Sequence, residues 1–424
     1  MSLRAALHLG RALRHRNYRL FFIGQGISVI GTWVTRFATS WLAYTMTGSP
    51  LILGLVTFCN NAPTPLIAPI AGVLIDRWNR RRVILLTQLA ALLQSATLAV
   101  FALTDSMTVG HLLVLGAIQG VINGFDLPAR QSFLRETIED PAHLPNAIAL
   151  NSSMVNLGKM IGPVIAAILV GLVGEGWCFA IDAASYLAVI AAVLAMRITP
   201  RPRAARSGKR VHTELADGVR YVRSVPLVRS VLILLATTSV LTGGYTSLLP
   251  VVATRTLGGD EHTLGILMGA AGIGALAGAL FLASRTTVVG FGTLIGRTLF
   301  VLGASLAALE LAWSIWIAVP LLFIIGLTLM IQMAATNSIV QTIVDHDKLG
   351  RVMSLYAVAF AGGMPIGALL EGALASRIGA IHTLAVAGAG CMIAALVFRR
   401  ALPGLRALTR PLYVRLGLLG EESA

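Results

Sequence analysis

The sequence predicts an all-α integral membrane protein of twelve transmembrane helices arranged as two six-helix halves. Three observations predict it. Hydrophobic residues make up 56% of the 424 and charged residues 12%, half the roughly 25% that soluble domains carry. Apolar runs able to cross ~30 Å of hydrocarbon recur along the whole chain. Lys and Arg gather in alternate loops, as the positive-inside rule requires. Such a composition excludes a soluble enzyme, a disordered chain and a nucleic-acid binder, although the formal net charge is +15. That excess fits basic loops held against anionic lipid.

The expected spans are 20–46, 51–75, 82–104, 109–133, 146–173, 177–198, 229–254, 263–284, 294–313, 315–340, 350–374 and 379–398. Turn residues punctuate them: Gly48-Ser49-Pro50, Asp105, Gly174-Glu175-Gly176, Gly258-Gly259-Asp260 and Gly379. If the N-terminus is cytoplasmic, inner segments carry 28 Lys and Arg and outer loops only Arg255 and Arg377. Both ends are therefore expected in the cytoplasm. The first apolar run is too long for a signal-peptide core and lacks a small-residue cleavage site, so no cleavable signal is expected. The expected division is an N-terminal half, 1–198, a basic Pro-containing linker, 199–228, a C-terminal half, 229–398, and a cytoplasmic tail, 399–424. The linker composition reads as a flexible tether. Ala129–Ile138 lines up with Ala335–Val344, a weak internal repeat. Two parallel six-span repeats are a transporter layout.

The strongest local motif closes span two: Gly72-Val-Leu-Ile-Asp76-Arg77-Trp78-Asn79-Arg80-Arg81. It resembles the signature loop G-x-x-x-D-R-x-G-R-R of the major facilitator superfamily, with Asn79 where Gly is usual. Asn is the next-best residue at positive φ, so the turn is expected to survive. Further segments resemble the branch containing bacterial enterobactin exporters and related macrolide and tetracycline efflux proteins. They are Asn17-Tyr-Arg-Leu-Phe-Phe-Ile-Gly-Gln25, Asp126-Leu-Pro-Ala-Arg130-Gln-Ser-Phe, Asn146-Ala-Ile-Ala-Leu-Asn151, Asn156-Leu-Gly-Lys159-Met-Ile-Gly162-Pro163, Phe179-Ala-Ile-Asp182-Ala-Ala-Ser-Tyr and Gly350-Arg351-Val-Met-Ser-Leu-Tyr. The resemblance spans about residues 12–398 and is specific for the branch, not for the cargo.

The resemblance implies a major facilitator fold and a conformational latch at Gly72, Asp76, Arg77, Arg80 and Arg81. In the family the aspartate faces the start of span eleven. A carboxylate there favours a helix N-terminus by ~0.3–1 kcal/mol. It also implies that span one lines the cavity, where Gln25, Ser28, Thr32, Thr35 and Thr39 recur at helical spacing beside Arg36. Tyr245 and Asn337 are the cavity candidates of the second half. Gly162-Pro163 resembles the span-five antiporter signature, without its upstream glycines.

Ionisable groups at mid-bilayer cost at least ~2.5–3.5 kcal/mol and should face a partner or the bundle interior. Asp126 and Arg130 lie four apart on one helical face and can pair; they form the expected coupling or charge network, with Pro128 between them weakening the helix. Lys159 sits in mid-span between Gly158 and Gly162. It is open to three readings: a partner for anionic cargo, half of an ion pair, or an uncharged amine. Asp182 reads as shallow in span six, and Glu371 as a surface pair with Arg377.

No nucleotide loop, catalytic triad or zinc motif occurs, and the eight histidines and three cysteines form no ligand pattern. The expectation is a non-enzyme without cofactor or metal, monomeric, in the bacterial cytoplasmic membrane. Its expected activity is export of a small organic molecule, siderophore-like or drug-like, by alternating access, with protons as coupling ion. The excess of cations among the buried charges favours an anionic cargo. The alternatives are an uptake permease or lipid flippase of the same fold, or a non-transporting scaffold or sensor.

Overall fold

The computed structural model describes residues 11–75, 78–198, 211–285, 287–345 and 348–415. Among them, twelve helices are long and apolar enough to cross a membrane. Spans one to six are Arg16–Thr47, Pro50–Gly72, Arg80–Leu103, Val109–Leu134, Pro141–Val173 and Glu175–Ala195. Spans seven to twelve are Pro226–Thr256, Glu261–Ala283, Phe291–Leu311, Ile315–Ile343, Leu349–Ile378 and Ala380–Leu408. Each overlaps an expected run.

Local chemistry sets the ends. Gly48 adopts φ 59° and closes span one, its N–H donating to the Tyr44 carbonyl. Thr108 and His111 form a reciprocal cap at span four. Asp260 caps span eight, accepting from the Thr263 N–H at 3.0 Å and the Thr263 hydroxyl at 3.2 Å; the backbone bond, first, holds its carboxyl below the usual carboxylate range. Asn79 is not in the left-handed region expected of it. At φ −73° it caps span three, its side chain accepting from the Arg82 N–H, a role asparagine fills as well as it fills turns.

Two spans are interrupted. Span two consists of helices Pro50–Asn61 and Pro63–Ile75, broken where Pro63 has no N–H to continue the ladder. Span seven breaks between Leu241 and Tyr245, at Gly243-Gly244, and ends in a π-helical turn, Val252–Thr256. Span four, in contrast, runs unbroken through Pro128.

The chain forms two compact units. The first takes residues up to Gly48, then Cys59–Ala205 and Gly259–Gly269; the second takes Ser49–Phe58, Arg206–Gly258 and Ala270 onward. At one end of the first unit's helices, Tyr18, Phe21, Ile75, Ile84 and Phe133 form an apolar cluster. Polar bonds tie its helix ends. The Tyr18 hydroxyl donates to the Ala147 carbonyl at 2.9 Å, Asn17 exchanges two bonds with the Arg197 backbone, and Asn146 accepts from the Ala12 N–H at 2.9 Å. Close helix contact depends on missing side chains. A Cβ on Gly158 would lie 2.5 Å from Val29 Cγ1, and one on Gly162 would collide with Trp33 Cβ. In the second unit, Gly54 meets the Ala368 backbone and Gly243 the Met364 carbonyl in the same way, and the Thr57 and Ser247 hydroxyls meet at 2.8 Å.

Two regions are more ordered than their composition implied. Within the linker, Val211–Ser224 is a helix. Asp217 pairs with Arg351 at 3.7 Å, and the Tyr221 hydroxyl donates to Asp345 Oδ2 at 3.1 Å while accepting from the Asp345 N–H at 3.2 Å. The turn after span ten and the first turn of span eleven thus supply the partners that a free tether would lack. The last helix continues to Arg415, because Leu402 and Leu405 remain buried and Leu402 packs beside Gly292.

Gly162→Leu is expected to lower membrane abundance and melting temperature, since overpacking costs ~1–3 kcal/mol or more where neighbours cannot yield; fluorescence-detected size exclusion reads both. Tyr221→Phe removes the bonds to Asp345, worth ~0.5–1.5 kcal/mol each. It should speed protease cutting of the linker without changing abundance, as measured on inverted vesicles.

Candidate functional site

The first unit concentrates its buried polarity in two places. The first centres on Asp126, 2% exposed in span four. Its Oδ2 pairs with Arg130 one turn on. Its Oδ1 accepts from the Thr87 hydroxyl and the Gln88 carboxamide of span three, each at 2.9 Å. Arg130 also donates to Gln25 Oε1 of span one at 2.5 Å. One ion pair therefore ties spans one, three and four. A buried pair with its remaining lone pairs satisfied is what makes a charge tolerable in a low-dielectric interior. The expected Asp126–Arg130 contact is present. Gln25, expected on the cavity wall, is instead buried at 1% as the guanidinium's acceptor, because its carboxamide oxygen is the group that Arg130 can reach.

The second place is a pocket of about 30 Å³ among spans one, two, three, four and six. Thr32, Thr35, Arg36 and Thr39 supply the span-one wall; Asn60, Gln94, Gln119, Asn123, Asp182 and Tyr186 supply most of the rest. The span-one stripe read from the sequence thus faces this pocket from Thr32 onward. A space of this size holds about two waters, not an organic molecule. Arg36 is exposed to it, its guanidinium 5.0 Å from the centre of the Trp33 ring. Lys159 Nζ, from span five, lies 5.7 Å from the same ring. Both separations are within cation–π range. Among the described residues, neither cation has a carboxylate within 4.0 Å.

Asp182 lies near the start of span six but does not face solvent. It is 2% exposed, accepts from the Ser95 hydroxyl at 3.1 Å through Oδ2, and leaves Oδ1 without a partner among the described residues. Glu371 is not a surface pair either. It is 6% exposed and accepts from the Gly244 N–H at 3.1 Å, capping the break in span seven. An unsatisfied backbone donor at that break attracts the acid more strongly than exposed Arg377 does.

Of the signature loop, Asp76 and Arg77 lie outside the described residues. Gly72 lies in the last turn of the Pro63–Ile75 helix, where a methyl group on its Cα would meet nothing within 4 Å. Arg80 pairs with Glu136 at 2.6 Å and Arg81 donates to the Leu194 carbonyl at 2.9 Å, so these arginines tie the start of span three to the ends of spans four and six. In the second unit, Tyr245 is half-buried just after the span-seven break, and Asn337 accepts from Gln341 at 2.7 Å. Sequence reading missed Trp33, Thr87, Gln88 and Glu136. The signal for the middle two was available: Thr87-Gln88 is a polar pair inside an apolar run, and such groups need an intramembrane partner.

Comparison with known proteins places this geometry in context. Residues 11–410 match the family model described as transmembrane secretion effector. The staphyloferrin A transporter of Staphylococcus aureus is 24% identical over 388 residues, covering 90% of this chain and 95% of that protein. The multidrug efflux pump Tap of Mycolicibacterium fortuitum is 26% identical, with 89% and 93% covered. The enterobactin exporter EntS of Salmonella typhi is 25% identical, with 94% and 95% covered. Among solved structures, a bacterial homologue of the human lysosomal transporter Spinster, inward-facing and unoccupied, superposes with a TM-score of 0.70 at 16% identity, covering 94% of this chain and 98% of that one. The nucleoside transporter NupG gives 0.69 at 12% identity, with 92% and 99% covered. With twelve apolar helices and this match along almost its whole length, the chain belongs to the transmembrane secretion effector family of major facilitator transporters.

Proposed function

We propose that this multi-pass transporter exports a small anionic organic molecule across the bacterial cytoplasmic membrane, by alternating access and in exchange for protons. Arg36 and Lys159 carry the reading. Both lie within cation–π range of Trp33, and no acid among the described residues comes within 4.0 Å of either. Two cations kept unpaired inside a membrane bundle are costly unless something anionic visits them. The names of the staphyloferrin A and enterobactin relatives support the same class of cargo. The sequence carries no nucleotide-binding loop, so an ion gradient drives the exchange in this reading, with protons assigned as the ion.

The remaining assignments belong to the same proposal. Both termini are cytoplasmic, from the 28-to-2 distribution of Lys and Arg. The halves 1–198 and 229–398 are the moving bodies, joined by the linker 199–228, and the protein works as a monomer. The Gly72–Arg81 loop, Asp76 included, latches one conformation. Tyr245 and Asn337 contribute to the cargo path from the second half.

Uptake into inverted vesicles under an imposed pH gradient tests this, with a tri-catecholate siderophore and the cationic dye ethidium as probes. The siderophore is expected to accumulate and the dye not. Lys159→Met should weaken siderophore affinity at normal abundance, and Lys159→Arg should keep part of it because the charge is retained. Accumulation of the dye alone, or unchanged affinity with reduced yield in Lys159→Met, would contradict the anionic-cargo reading.

A further inference from the structure

Among the described residues, three acids are buried within the spans: Asp126, Asp182 and Glu371. Asp126 has both oxygens engaged and pairs with Arg130, so it cannot take on and release a proton without breaking the tie between spans one, three and four. Glu371 caps the span-seven break through Oε1, leaves Oε2 without a partner among the described residues and lines no part of the pocket. Asp182 differs from the first in having no cation beside it and from the second in where it stands. Its Oδ2 accepts from Ser95, the neutral hydroxyls of Thr35, Ser185 and Tyr186 stand near the carboxyl, and its Oδ1 has no hydrogen-bond partner among the described residues. No Lys or Arg among them comes within 4.0 Å of it. It opens onto a polar pocket sized for about two waters.

Span one makes room for this acid. A Cβ on Gly31 would lie 2.7 Å from Asp182 Oδ1 and 2.7 Å from Ser185 Oγ, so only glycine lets the carboxyl stand where it does. The charged and titratable groups around it are Arg36 of span one, across the pocket, and Tyr186 one turn along its own helix. Beyond Tyr186 lie Asp126 and Arg130 of span four. Span three contributes Gln94 and Ser95, which are uncharged. Counted from Glu175, Asp182 is about seven residues, or ~10 Å, into span six. In the orientation proposed above, that is the outer part of the bilayer, the side from which a driving proton arrives.

We infer that Asp182 is the residue that takes up and releases the coupling proton, with the pocket as its water-filled access. This rests on the proton-driven reading above. The step is a proton transfer. A hydronium ion in the pocket gives its proton to the Asp182 carboxylate, an O–H bond forms on Oδ1, and a neutral water remains; release is the reverse, to water on the opposite side. An ionised carboxylate resists being dried, whereas the neutral acid can lose its water and allow the pocket to close. Reorientation without cargo would then require the proton.

The test uses the full chain in two measurements. Infrared difference spectra of the purified protein across a pH titration should show a carboxylic-acid band that is lost in Asp182→Asn, shifted in Asp182→Glu and retained in Glu371→Gln. In proteoliposomes with the tri-catecholate siderophore, Asp182→Asn should lose gradient-driven accumulation while exchange without a gradient stays at the wild-type rate. Asp182→Glu should recover gradient-driven accumulation in part. A titrating band that survives in Asp182→Asn, or gradient-driven accumulation that survives it, would overturn the assignment. Should Asp182→Asn fail to reach the membrane, an unshifted band in Asp182→Glu would overturn it equally. Accumulation in the wild type that ignores the pH gradient would instead remove the proton-driven reading itself, a different failure from the first.

Discussion

Hydrocarbon does not solvate charge, and the polar interior of the first unit is arranged around that constraint. An ion at mid-bilayer needs an opposite charge, enough donors, or water. Asp126 receives the first two together, from Arg130, Thr87 and Gln88, while Gln25 takes up part of Arg130's remaining donor capacity. Arg36, Lys159 and Asp182 receive neither in full. Their surroundings are an aromatic face and a small polar pocket. Charges satisfied by protein hold helices together; charges left for water or a visitor are where transport chemistry has room to occur.

Span one is the element through which both groups are positioned. Its Gln25 reaches Arg130 of span four. Its Gly24 and Gly31 lie against Ala192 and Asp182 of span six. Its Trp33 fills the notch left by Gly158 and Gly162 of span five and lies within cation–π range of both unpaired cations. Without a strong hydrophobic drive between helices in lipid, close packing of this kind carries much of the association energy. The same glycines that permit packing therefore fix where the cations and the acid stand. The second unit uses a related device at Gly243-Gly244, where a backbone break is sealed by Glu371.

The twelve spans and the i,i+4 pair of Asp126 and Arg130 were legible in the sequence, because hydropathy and helical spacing are local properties. The family was legible too, from motifs such as Asn17-Tyr18 and Asn146, whose side chains prove to tie helix ends. What the sequence concealed depends on partners distant along the chain. The depth of Asp182 in span six was visible, while its burial against Gly31 and Ser95 was not. Glu371 looked exposed because Arg377 is near in sequence, whereas Gly244 is 127 residues away. The linker looked flexible because its docking partners, Asp345 just after span ten and Arg351 at the start of span eleven, are distant along the chain. Asn79 looked like a turn residue because motif position was taken as evidence of φ; the same side chain serves as a cap.

The central claim is that paired charges are structural and unpaired ones functional. Its most direct test is a double-mutant cycle on melting temperature in detergent, with Asp126→Asn, Arg130→Gln and their combination, set beside Asp182→Asn in the same conditions. Breaking a buried pair from one side costs ~3–5 kcal/mol, because the remaining charge is stranded. Each single variant at the pair should therefore melt well below the wild type, the combination should be much less destabilised than the sum of the two, and Asp182→Asn should stay near the wild type. Additive effects at Asp126 and Arg130, or a loss at Asp182 as large as that at Asp126, would contradict the account.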